Sequence, residues 1–280
     1  MPKDINYIRI VTIKEIIEET PTVKTLVFRD SLGNLAKPGQ FLMVWIPRCE
    51  ELPLSVMTSQ RKNHAAITIR KRGYGSSALF NIKEGEKIGI RGPYGNSFTV
   101  QEHFKKIILI GGGTGMVPLV RLLSSIRIEK MNITIIIGSK TKGEMFFVDL
   151  INKLLKNSLS YEILISTEDG SFGIKGFPVE VLEKILDTKD KENVDMVYTC
   201  GPELMMKKIF DICVKKGVSL QASIERYMKC GIGICSSCCI NDTLVCLDGT
   251  IFNTEQLKNL PEFGSFYRDK SGKLEKYEIF

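Results

Sequence analysis

The sequence predicts a six-stranded antiparallel β barrel followed by a parallel α/β sheet, with a cysteine loop and a tail at its end. Three observations carry that prediction. Short β-type runs separated by turn residues fill the first hundred positions, the pattern of a small barrel. From about residue 104 the pattern changes to strand–helix alternation, which means a parallel sheet covered by helices. Five cysteines then fall close together after the last of these elements. At 280 residues the chain is long enough for more than one core, and the expected divisions are 1–100, 101–222 and 223–280.

The barrel strands are expected at Tyr7–Ile17, Thr22–Phe28, Gln40–Ile46, Leu54–Thr58, Ala66–Lys71 and Glu86–Gly92. Turn residues such as Lys37-Pro38-Gly39 and Arg61-Lys62-Asn63 separate them. One short helix is expected after Gly75, with Ser76 as its N-cap. Pro53-Leu54-Ser55 opens the fourth strand. The run Ile69-Arg70-Lys71-Arg72-Gly73-Tyr74-Gly75-Ser76 can meet an anion: glycine admits close approach, the helix offers free amides, and Arg70 neutralises phosphate. A hairpin with an ordinary capped helix is the alternative. Gly92-Pro93-Tyr94-Gly95 turns the chain into the next region.

There, strands are expected at Lys106–Ile110, Ile133–Gly138, Tyr161–Ser166, Val194–Thr199 and Leu220–Ser223. Helices are expected at Val117–Ile126, Phe147–Leu155, Val179–Leu186 and Leu204–Lys215. The first strand runs into Gly111-Gly112-Gly113-Thr114-Gly115, a turn that brings phosphate to a helix start. The ordinary dinucleotide fingerprint is not met, because its third glycine falls on Met116 or Pro118. Two later turns lie where ligands bind in open α/β sheets. In Thr167-Glu168-Asp169-Gly170, either acid can accept from a ribose hydroxyl and repel a 2′-phosphate, or the run is a plain Asp-Gly turn. In Cys200-Gly201-Pro202, glycine lets a flat ring approach.

Cys230, Cys235, Cys238 and Cys246 follow the spacing C-x4-C-x2-C-x7-C, whose first intervals are those of a plant-type [2Fe–2S] loop. Gly231 and Gly233 permit the tight backbone that turns amides toward sulfur. A zinc site is the rival, though zinc knuckles use two C-x2-C pairs and only one is present. Cys239 should point away from its neighbour Cys238 and support the site from behind, the alternative being that it replaces one ligand. The charge of +7 is spread among acids without an aromatic-laced basic stripe, so nucleic acid is not an expected partner. No run of eighteen apolar residues exists to span a membrane, and Lys3, Asp4 and Arg9 interrupt any leader-like stretch. A cytoplasmic protein is therefore expected, whose eight cysteines read as cofactor ligands rather than disulfides.

Taken together, Pro53-Leu54-Ser55, Gly92–Gly95, Gly111–Gly115, Cys200–Pro202 and the cysteine loop resemble the ferredoxin–NADP reductase superfamily. More narrowly, they resemble the electron-transfer subunits of NAD-dependent dihydroorotate dehydrogenases. The likeness includes Ser223-Ile-Glu225-Arg-Tyr-Met228 before the cysteines and Asp248-Gly249-Thr-Ile-Phe252 after them. It implies an oxidoreductase subunit of pyrimidine biosynthesis that holds FAD in the barrel and one [2Fe–2S] cluster in the loop. Electrons would pass between NAD and an FMN-containing catalytic subunit, in a heterotetramer with two of each.

By position, Pro53, Leu54 and Ser55 would lie at the flavin, and Ile69, Arg70, Gly75 and Ser76 at its ring edge and pyrophosphate. Gly111, Gly112, Gly113, Thr114, Gly115, Asp169, Cys200, Gly201 and Pro202 would serve the nicotinamide nucleotide. Cys230, Cys235, Cys238 and Cys246 would hold the cluster. No catalytic acid or base is expected in this chain, since dihydroorotate would react in the partner. One departure stands out: many relatives place arginine where Leu52 stands, with Arg48 or Arg70 as substitutes here. Related modules also serve ferredoxin reductases, sulfide dehydrogenases and hydrogenases, which remain the alternative partners. The tail aromatics Phe263, Phe266, Tyr267 and Tyr277 either cover the cluster or partner or simply pack.

Overall fold

The computed structural model describes residues 5–187 and 194–278; Lys3 and Asp4 lie outside them. Six strands form the closed barrel, β1 (Arg9–Thr20), β2 (Val23–Arg29), β3 (Phe41–Trp45), β4 (Glu51–Met57), β5 (His64–Arg70) and β6 (Lys87–Tyr94). Their order is β1-β2-β5-β4-β3-β6, every neighbour antiparallel. Closure leaves no free sheet edge except where β4 and β5 part. Alternate side chains such as Leu42, Val44, Val56, Ile67 and Ile90 fill the interior, as the two-residue strand period dictates.

Two expectations change here. β4 begins at Glu51, not Leu54, so Pro53-Leu54-Ser55 lies inside the strand, opposite Met43, Leu42 and Phe41 of β3. The ladder between β4 and β5 holds only at Val56↔Ile67 and Met57↔Ala66. Beyond Val56 the two strands part, and a ladder without partners there tolerates a proline. Of two short helices, α1 (Ser31–Asn34) and α2 (Tyr74–Phe80), the second is capped by Gly73 rather than Ser76. Ser76 sits in the first turn, and its hydroxyl accepts from Arg72 N and Gly73 N at 3.0 and 2.8 Å, closing the helix start from inside.

The second half builds a seven-stranded sheet. Its elements are β7 (Lys106–Gly112), α3 (Met116–Leu123), β8 (Asn132–Ser139), α4 (Val148–Leu155), β9 (Ser160–Thr167), β10 (Ile174–Lys175), α5 (Pro178–Asp187), β11 (Met196–Cys200), α6 (Glu203–Lys216) and β12 (Leu220–Ser223). The cysteine region adds β13 (Cys239–Ile240), β14 (Thr243–Leu244), α7 (Val245–Asp248), β15 (Ile251–Asn253) and α8 (Thr254–Lys258), and the tail adds β16 (Phe266–Arg268) and β17 (Leu274–Lys276). The order is β10-β9-β8-β7-β11-β12-β15, parallel throughout except for β15 against β12. The cysteine region thus contributes an edge strand to the nucleotide-type sheet. Ile107 to Ile110 are buried, as a strand covered on both faces requires.

Arg121 of α3 locks the two halves together. Its buried guanidinium donates to the carbonyls of Ala36, Met57 and Asn34 at 2.9 Å each. Three carbonyl partners offset the cost of burying that charge.

Candidate functional site

Where β4 parts from β5, a cleft of about 230 Å³ opens between the barrel and the sheet. Pro53, Leu54 and Ser55 line one side, and Thr68, Ile69 and Arg70 the other. Thr114 and Val117 from the glycine turn and α3 close its sheet side, and Ser223 to Arg226, Met228 and Thr250 its far side, with Phe41 from β3. A larger groove, about 660 Å³, is lined by Lys105, Asn132, Tyr161 and Asp195 at the amino ends of the parallel strands. Ligands of such sheets bind at the opposite, carboxyl ends, so the smaller cleft is the candidate.

Three arginines line the cleft, Arg70, Arg72 and Arg226, and Arg226 is held in a buried ion pair with Glu203. Arg70 Nη1 pairs with Glu144 Oε2 at 3.0 Å, while its Nε is buried with no hydrogen-bond partner among the described residues. Arg48 is exposed on the preceding turn and is not part of the lining. Leu52 pairs with Val44 in the β3–β4 ladder and packs against the barrel core. Gly75 and Ser76 stand beside the cleft rather than in it. The Gly75 amide is taken by Glu50 Oε1 at 2.8 Å, so an anion reaching it must first displace a carboxylate.

The two predicted nicotinamide turns face each other. A Cβ on Gly115 would fall 2.2 Å from the Cys200 carbonyl oxygen, and one on Gly201 would fall 3.0 Å from Gly112 N. Gly113, at φ 55°, and Gly201, at φ 150°, adopt backbone that side chains disfavour. The two turns therefore form a cradle that glycine alone leaves open. Pro202 touches it at Gly112. Burial pushes the Cys200 thiol far above the ordinary range, so it is a wall and not a nucleophile. Asp169 lies at the carboxyl end of β9, exposed, with Oδ1 already accepting from Ser171 N at 2.9 Å and Ser171 Oγ at 2.7 Å. Those hydrogen bonds hold its carboxyl below the usual range. The run forms a turn, within reach of the β8 turn through Glu168 N→Ser139 O at 3.1 Å.

The cysteine loop is preorganised around sulfur. Gly231 and Gly233 take φ of 73° and 78°. The amides of Ile232, Ile234 and Cys235 point at Cys230 Sγ from 3.5, 3.3 and 3.4 Å, and that of Gly233 at Cys246 Sγ from 3.2 Å. Cys246 N donates to Cys238 Sγ at 3.4 Å. Among the described residues no three His, Cys, Asp or Glu side chains converge on a single-ion centre; the thiols stand as an outer pair, Cys230 with exposed Cys235, and a buried inner pair, Cys238 with Cys246. Burial opposes ionisation of Cys235, but hydrogen bonds with Ser237 and Cys230 outweigh it and bring its pKa to about 6. Burial and the neighbouring Cys238 push Cys246 up to about 12, so binding a metal there releases a proton. Backbone amides aimed at sulfur are the donors an iron–sulfur cluster uses, and the loop fits one. Cys239 does point away, as expected: Arg268 Nε donates to its sulfur at 2.9 Å.

Cleft and loop draw on the same core. Phe41, Met43, Tyr94 and Met228 pack in one buried cluster with Cys238 and Cys246, and Phe41 and Met228 also line the cleft.

Residues 225–258 match the iron–sulfur cluster binding domain of dihydroorotate dehydrogenase B, and residues 109–211 an oxidoreductase NAD-binding domain. A Methanocaldococcus jannaschii protein named as a probable dihydroorotate dehydrogenase B (NAD(+)) electron transfer subunit is 41% identical over 93% of this chain and 95% of its own. The chain belongs to that family of electron-transfer subunits. A family member from Pyrococcus horikoshii is 40% identical over 95% of this chain and 98% of its own. Among solved structures, an NADH-dependent reduced ferredoxin-NADP oxidoreductase superposes with a TM-score of 0.77 at 25% identity, covering 91% of this chain and 92% of that one. A Neisseria gonorrhoeae ferredoxin NADP+ reductase with bound FAD and NADP reaches 0.65 at 18% identity, covering 75% and 92%, and shares the fold.

Sequence reasoning missed part of the family's cleft in this chain. Thr68, Val117, Glu225 and Thr250 line it without having been singled out as site residues. The run Ser223–Met228 was visible as a motif but carried no assignment. Glu225 lines the cleft and is exposed on its cleft side; desolvation by the surrounding protein raises its pKa while Arg72 opposes the shift.

Proposed function

We propose that this chain carries electrons between NAD(H), arriving at the carboxyl ends of the sheet, and the catalytic subunit of a dihydroorotate dehydrogenase, through FAD in the cleft and a [2Fe–2S] cluster in the loop. A flavin bound there exchanges a hydride with nicotinamide and single electrons with the cluster. The residues then have separable tasks. Arg70 meets the pyrophosphate, and Ser55, Ile69 and Thr114 hold the ring from either side. The Gly111–Gly115 and Cys200–Pro202 turns leave room for nicotinamide against it. Asp169 faces the ribose side and disfavours an added phosphate.

The single observation that carries the reading is the common core: Phe41 and Met228, which line the cleft, belong to the same buried cluster as Cys238 and Cys246, which supports two neighbouring centres. Cys235 of the outer pair is exposed, which supports an exit toward the partner on that side. The partner is read as FMN-containing and the assembly as two of each chain. No helix among the described residues is long and apolar enough to cross a membrane.

Anaerobic protein mixed with NADH tests the reading. Cluster absorbance should bleach when FAD is bound and persist when FAD has been stripped. Bleaching without FAD would contradict the order of the relay.

A further inference from the structure

The tail after residue 258 lies beyond both matched family stretches, yet it reaches the cluster loop through specific polar contacts. β16 and β17 form a hairpin, anchored at its base by Phe263 edge-on to Phe210 of α6, centroids 6.0 Å apart. Arg268 on β16 donates from Nε to Cys239 Sγ at 2.9 Å and from Nη2 to Glu262 Oε1 at 3.4 Å. Glu262 Oε2 in turn accepts from Asn241 N at 3.0 Å, and Asn241 Oδ1 accepts from Glu262 N at 3.2 Å.

Cys239 and Asn241 belong to the β13–β14 hairpin, and its two feet carry the inner cysteines. Cys238 stands directly before β13 and Cys246 just after β14. Within the loop, Val245 N reaches the Cys238 carbonyl at 3.3 Å and Cys246 N reaches Cys238 Sγ at 3.4 Å. Gripping the hairpin at Cys239 and Asn241 therefore fixes the separation of the two inner sulfurs. The other end of the tail is tied as well. Tyr277 Oη donates to Glu203 Oε2 at 3.0 Å and Gly264 N to Glu203 Oε1 at 2.8 Å, and Glu203 is in a buried ion pair with Arg226. Glu203 follows Pro202 directly.

We infer that the C-terminal hairpin is a clasp that holds the inner half of the cluster loop, with Arg268 and Glu262 as positioning residues for Cys238 and Cys246. The inference rests on the cluster reading above. Groups that support metal ligands from behind are worth about 10–100-fold in metal retention, so loss of the clasp should show in the cluster itself. The guanidinium beside Cys239 also favours the more negative, reduced cluster, which raises its potential.

The test uses the full chain, purified anaerobically with FAD and cluster, as wild type, Arg268→Ala, Arg268→Lys, Glu262→Gln and the exposed hairpin control Lys273→Ala. Measured quantities are iron and acid-labile sulfide, rate of cluster bleaching by a chelator, the EPR spectrum and midpoint potential of the reduced cluster, and FAD content. In R268A, bleaching should accelerate about tenfold and the potential should fall, with FAD content unchanged. R268K should recover part of the potential but not the bleaching rate, and K273A should match wild type. E262Q is nearly isosteric and should accelerate bleaching to a smaller degree, so it serves even if R268A folds poorly. Wild-type bleaching rates and spectra in both R268A and E262Q would overturn the clasp. A wild-type protein without iron or sulfide would instead overturn the functional reading, and the clasp with it.

Discussion

The cluster loop and the cleft proposed for flavin draw on one core but are assembled by opposite strategies. The loop draws all four proposed ligands from residues 230–246 and already aims its own amides at the sulfurs of Cys230 and Cys246. The cleft is gathered from β3, β4, β5, α3 and the stretch around Glu225, and its anion contacts are incomplete. Leu52 packs where a cation would help, Arg70 is half engaged by Glu144, and Glu50 sits on the Gly75 amide. Affinity is therefore local and preset in the loop, but distributed and contested in the cleft.

The sharpest way to break that comparison is to remove an inner ligand. C238A or C246A should abolish the cluster completely while leaving FAD content unchanged, measured as iron, sulfide and flavin per chain. Parallel loss of FAD would show that the two sites are not separable. Next in size, G115A puts a methyl 2.2 Å from the Cys200 carbonyl oxygen, which has no room to yield. NAD(H) affinity should fall ~100-fold, about 2.8 kcal/mol, in a fluorescence titration, with the cluster intact. R70A should weaken FAD ~10–100-fold in equilibrium dialysis, because a charge-assisted hydrogen bond is worth about 1.5–3 kcal/mol. The smallest effects sharpen the comparison rather than break it. L52R and E50A should each tighten FAD, by about tenfold and a few-fold, one adding a cation and the other freeing the Gly75 amide. If neither variant binds FAD more tightly, the cleft is not limited by its anion contacts.

The same contrast explains what could be read in advance. A site made from consecutive residues leaves its spacing in the sequence, so the cysteines and both glycines of the loop were legible. Barrel and sheet were legible too, because periods of two and of alternating strand and helix are local signals. Strand ends were less so: β4 starts at Glu51, since pairing with β3 and not the turn decides where it begins. Ser76 was misplaced as a cap because cap and first-turn serines differ only in which amide they meet. Glu225, Val117 and Thr250 were missed as site residues because only tertiary packing brings them to the cleft. The Glu50–Gly75 contact spans twenty-five positions and has no local signature at all.

In the proposed relay, nicotinamide, flavin and cluster are wired in that order through one core. Stopped-flow mixing of anaerobic holoprotein with NADH, followed at flavin and cluster wavelengths, tests it most directly. Flavin bleaching should precede cluster bleaching, and C246A should keep the first phase and lack the second. Simultaneous or reversed phases, or a cluster phase that survives in C246A, would contradict it.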